Sequence, residues 1–101
     1  MPESQTSPST TPNILQEAEA AVYGPRQAAY GHPSENFGRT ARLWTAYLGE
    51  RAPHGLTASD VAMMMVLVKM ARLMESPEHR DSIVDMAGYT ATYSRVRGLD
   101  A

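Results

Sequence analysis

The stretch "VAMMMVLVKMARLM", Val61 to Met74, limits the folds open to this chain more than any other. It shows no alternation of period two, and as a helix it is apolar on almost every side. A helix of that kind lies in the centre of a bundle or across an interface between copies. "LTASD" marks its start, with Thr57 and Asp60 in a capping box, and Pro77 breaks it. This third helix is therefore expected to be the most buried element. Its longest unbroken apolar run is eight residues, far short of the ~20 that span a bilayer.

Three further helices follow from caps and periodicity. Asn13 and Gln16 form a capping box ahead of an apolar stripe of Ile14, Leu15, Ala18, Ala21 and Val22, which Gly24 and Pro25 stop. Pro33 suits the first position of the second helix, whose stripe is Phe37, Ala41, Trp44 and Leu48, and Gly49 ends it. The fourth runs from about His79 to Val96, with Ile83, Val84, Met86, Ala87 and Tyr93 as its stripe. No segment reads as a strand. Short connections between such helices predict an all-α, four-helix bundle.

Length bounds this to one domain, since the chain has 101 residues. Residues 1–11, "MPESQTSPSTT", have the composition of a disordered tail. Residues 12–98 then form a single helical domain. A domain of roughly 85 residues is marginal alone, so homo-oligomerisation is expected to complete the bundle. The seven methionines read as core filler. There is no cysteine, which excludes disulfides and thiolate metal sites. A net charge of −2 gives no pull toward nucleic acid or anionic membrane. With no basic and apolar leader at the start, the expected setting is soluble and intracellular.

Charge interrupts the apolar helix at Lys69, and Arg72 follows at i+3, so both are expected to point the same way. Beyond Pro77 come Asp81 and Asp85, four apart. Counting outward from Pro77, Lys69 and Asp85 are each eight residues away, and Arg72 and Asp81 are five and four. A hairpin therefore sets two basic groups level with two acidic ones. As scaffolding these are two ion pairs that fix register, yet exposed pairs contribute only ~0–1 kcal/mol. As a site, Asp81 and Asp85 hold Mg²⁺ while Lys69 and Arg72 hold phosphate oxygens. Gly88, in the interior of the fourth helix, reads as a close-packing residue or as a place where a planar ligand reaches the backbone beside Tyr89. Gly38, in the second helix, has the same packing reading.

Between the first two helices runs "YGPRQAAYGHPSENF", Tyr23 to Phe37. Gly31 and Pro33 answer to turn and cap geometry. His32 is a helix cap or a ligand contact, and Tyr23 and Tyr30 are packing residues or pocket walls. Arg26 and Asn36 answer to no local demand, which makes Arg26 a candidate phosphate fork and Asn36 a candidate ligand contact. No triad is visible, because Ser82 has no base evident on its own face. His32, His54 and His79 lack metal-site spacing.

Three stretches, "RQAAYGHPSENFGRTARLWTAYLG", "LTASDVAMMMVLVKMARL" and "HRDSIVDMAGYTATY", together closely resemble a family of small helical proteins of unknown function encoded by bacteriophages and prophages, common in phages of actinobacteria. That resemblance implies the cytoplasm of the bacterial host. The family is distantly similar to the all-α nucleotide pyrophosphohydrolases of the MazG type, helical oligomers that use acidic residues and Mg²⁺ to cleave nucleoside triphosphates. On that likeness Asp81 and Asp85 match the later metal-binding helix, and Lys69 and Arg72 match basic residues near the phosphates. The earlier Glu-x-x-Glu pair is broken, because Glu35 is followed by "NFG", so Glu35 is its one counterpart. The resemblance implies a Mg²⁺-dependent nucleotide-phosphate site that hydrolyses its ligand. The alternatives are a protein that sequesters a nucleotide unaltered, and a helical interaction protein with no ligand site.

Overall fold

The computed structural model describes residues 11–25 and 31–100. Among them the chain forms α1 (Ile14–Tyr23), α2 (Pro33–Leu48), α3 (Ala58–Glu75) and α4 (Arg80–Val96), with a 3-10 turn (Gly49–Arg51) after α2. No strand occurs among the described residues, and the all-α, four-helix reading holds.

The starts of the helices follow the sequence signals closely. Asn13 Oδ1 accepts from Gln16 N at 2.8 Å, and Gln16 Oε1 accepts from Asn13 N at 2.9 Å. Thr57 and Asp60 close the same reciprocal pair, satisfying two of the donors that a helix start leaves open. Pro33 stands at the first position of α2, and His79 caps α4. The stop of α1 differs from the usual glycine cap. Gly24 is extended, at φ −81° and ψ −176°, rather than left-handed. The reason is Pro25, whose ring disfavours helical backbone in the residue before it.

The hub of the bundle is α4, which packs against α1, α2 and α3, whereas α3 packs mainly on α2 and α4. The expected central place of α3 is therefore not found within one chain. Small residues explain this, because Ser82, Gly88 and Thr92 are all buried on α4 and let neighbours approach on several sides. The buried positions elsewhere are also small: Ala18 and Val22 on α1, Pro33 and Ala41 on α2, and Ser59, Val61, Ala62 and Val66 on α3. No described leucine, isoleucine, methionine or aromatic side chain is buried.

Several expected core residues lie outside. Leu15 is 72% exposed, so the α1 stripe narrows to Ala18 and Val22. Met63, Met64, Met70 and Met74 are exposed rather than core filler. Gly38 marks no close helix contact, since a Cβ there would meet only the tip of Arg42, at 3.7 Å.

Candidate functional site

α1, α2 and α4 enclose a cleft of about 210 Å³. Val22 of α1, Pro33, Asn36 and Phe37 of α2, and Asp85, Gly88, Tyr89 and Thr92 of α4 line it. Helix geometry sets this out: Asp85, Gly88, Tyr89 and Thr92 recur at i, i+3, i+4 and i+7, one face of α4. The rings of Phe37 and Tyr89 form a tilted pair with centroids 6.2 Å apart. Gly88 leaves the backbone bare between them and Val22. A Cβ at Gly88 would sit 3.6 Å from Val22 Cγ2, an ordinary contact, so helix packing alone does not require glycine here.

Charge enters the lining through Asp85, whose partner Lys69 stands behind it on α3. Lys69 Nζ lies 3.1 Å from Asp85 Oδ2, with side-chain exposures of 17% and 43%. The pair is thus half-buried, and its carboxylate faces the cleft. Thr92 spends its hydroxyl on the Gly88 carbonyl at 3.0 Å, which leaves Asn36, Asp85 and the Tyr89 hydroxyl as the polar groups the lining offers a guest.

The other half of the predicted constellation does not form. Arg72 and Asp81 are both exposed, and no ion pair joins them among the described residues. A step of three residues turns a side chain about 60° round the helix from its starting face, so Arg72 leaves the line along which Lys69 meets Asp85. Glu35 is exposed in the first turn of α2. No group of three or more His, Asp or Glu side chains among the described residues is placed to hold a metal ion. Glu35, Asp81 and Asp85 therefore do not come together as a three-carboxylate group.

Residues 13–97 match a family described as a domain of unknown function, DUF6378. The chain belongs to that family. It is 42% identical over 84 residues to the Gene 55 protein of Mycobacterium phage D29, covering 83% of this chain and 53% of that protein. Against the Gene 55 protein of Mycobacterium phage L5 it is 41% identical over 85 residues, covering 84% and 53%. The chain spans about half the length of these curated relatives. No solved structure matches it.

The remaining candidates of this DUF6378 chain separate clearly. His32 is a cap, its Nδ1 accepting from Ser34 N at 3.1 Å. Arg26 and Tyr30 lie outside the described residues. Ser82 does have a base on its face, contrary to expectation: His79 Nδ1 is 2.7 Å from its Oγ. Both belong to the cap of α4 and Ser82 is fully buried, so the contact is structural. The i, i+3 spacing of His79 and Ser82 was the signal for it.

Sequence reasoning also missed the closure of α1 onto α4. Arg95 Nη1 donates to the Val22 carbonyl at 2.9 Å and its guanidinium lies over the Tyr23 ring. The Tyr23 hydroxyl donates to the Asp100 carboxylate, which with burial raises its pKa above the ordinary tyrosine value. These partners lie more than seventy residues apart in the chain, where no spacing rule reaches. No described helix is long and apolar enough to cross a membrane.

Proposed function

We propose that the cleft between α1, α2 and α4 binds a nucleotide and holds it unhydrolysed. One observation carries this reading: an aromatic pair and a bare glycine backbone stand beside a half-buried lysine–carboxylate pair. The base lies against Tyr89 and Phe37 over Gly88. A cleft of about 210 Å³ is below the ~300 Å³ at which drug-sized pockets begin, so it takes the base and leaves the phosphates at its rim. Lys69 supplies the positive charge there, and Asn36 and Asp85 offer hydrogen bonds to the base or sugar.

A nucleotide is the guest that the sequence resemblance to MazG-type enzymes implies. Among the described residues no three carboxylates come together, which favours binding over hydrolysis. Mg²⁺ then belongs to the ligand, arriving on its phosphates with Asp85 as the one carboxylate at the cleft.

Equilibrium dialysis against ribo- and deoxynucleoside mono- and triphosphates, with and without Mg²⁺, tests the proposal. The expected result is saturable binding with the nucleotide recovered intact. Release of monophosphate and pyrophosphate rejects sequestration, and no binding across the panel rejects the site.

Gly88→Ala separates site from scaffold. The space for a Cβ and the better helix propensity of alanine predict a gain of up to ~1 kcal/mol in thermal or urea unfolding. Nucleotide affinity is expected to fall, because the methyl group narrows the cleft. A loss of stability with no change in binding would return Gly88 to a packing role.

A further inference from the structure

The outward side of α3 carries four large apolar residues in a row. Met63, Leu67, Met70 and Met74 are 40%, 53%, 45% and 82% exposed. Their spacing is four, three, four, the a/d pattern of a helix that meets another helix along a seam. Met64 and Val68 widen the face, and Met64 joins Trp44, Tyr47 and Leu48 of α2 around an apolar groove of about 260 Å³. Between Asp60 and Glu75 the charged residues of α3 are Lys69, turned to Asp85, and Arg72. The face is thus apolar along its length and charged at its ends.

We infer that this face is covered by a second copy of the chain, α3 against α3, antiparallel about a two-fold axis. Three observations select this occupant. First, the spacing is a palindrome: an antiparallel pairing centred between Leu67 and Met70 sets Met63 against the partner's Met74 and Leu67 against the partner's Met70. A two-fold interface needs such self-complementarity.

Second, the area is sufficient. The six exposed α3 side chains and Tyr47 present on the order of 700 Å², close to the ~800 Å² that each partner buries in a standard-size interface. Third, the buried set among the described residues contains only small side chains, Ser82 being the largest that is fully enclosed. A domain of this size gains too little from such a core alone, and the large side chains that would complete it stand on this face. Antiparallel helices also oppose their dipoles favourably. The cleft of the nucleotide reading is lined by α1, α2 and α4, and Lys69, the one α3 residue that reading uses, is turned to Asp85 rather than to the seam.

The test uses the full chain in sedimentation equilibrium. The expected mass is twice 11.0 kDa, and Leu67→Arg is expected to give a monomer with unchanged helical circular dichroism, since Leu67 is half exposed within one chain. A monomeric parent overturns the inference. So does a Leu67→Arg variant that remains a folded dimer. Should the variant lose its helicity, introduced thiols decide instead, because the chain has no cysteine of its own. A mixture of Met63→Cys and Met74→Cys chains is expected to form a disulfide between the two kinds under mild oxidation. Met63→Cys chains alone are not, because antiparallel pairing holds their thiols about 16 Å apart along the axis. A disulfide between two Met63→Cys chains, or none in the mixture, overturns the antiparallel seam.

Discussion

Lys69→Met is expected to weaken nucleotide binding by ten- to a hundredfold while leaving the fold in place. The lost interaction is a hydrogen bond to a charged group, ~1.5–3 kcal/mol. Stability is expected to move by less than about 1 kcal/mol, because Asp85 is 43% exposed and water can take over its charge. Methionine also preserves the apolar stem with which lysine packs. Asp85→Asn makes the complementary measurement. It leaves the 17% exposed ammonium beside a neutral amide, so a loss of ~0.5–1 kcal/mol in urea unfolding is expected. The double variant closes a cycle that isolates the pair. If Lys69→Met binds nucleotide like the parent and only its stability changes, the pair is a register device and the rim has no phosphate role.

Ala62→Leu is expected to be among the most damaging single changes, although it adds apolar surface. Ala62 is fully buried on α3 beside Val61 and Val66. Three added carbons find no space there, and overpacking of this kind costs ~1–3 kcal/mol. For a domain of this size that lowers Tm by roughly 4–8 °C per kcal/mol. Leu15→Gln supplies the contrast. Leu15 belongs to the apolar stripe of α1 yet is 72% exposed, so its replacement is expected to stay within about ±0.5 kcal/mol. A ranking by hydrophobicity alone gives the opposite order. Differential scanning calorimetry of the two variants decides, and a parent-like Tm for Ala62→Leu would mean that the packing around Ala62 gives way to the larger side chain.

The candidate site was legible only in part. Lys69 and Asp85 stand at equal distance from Pro77, and that count was enough to pair them. The same count applied to Arg72 and Asp81 failed, since height along a hairpin says nothing about rotation round each helix. Asn36 and Tyr89 were marked beforehand and line the cleft, but Phe37, marked as core, stands there too. Its role depends on how α2 leans on α4, a long-range angle that the α2 stripe does not encode.

By itself the sequence determined the elements. Asn13, Pro33, Thr57 and His79 begin the four helices, because a cap acts through atoms within three residues. Only the tertiary structure decided which apolar surfaces meet. Periodicity ranked α3 as the innermost helix, yet small residues let α4 take that place, and α3 keeps an apolar face outward. A stripe shows that a surface must be covered. What covers it depends on shape and size across distant parts of the chain, or in another copy, and no local pattern contains that.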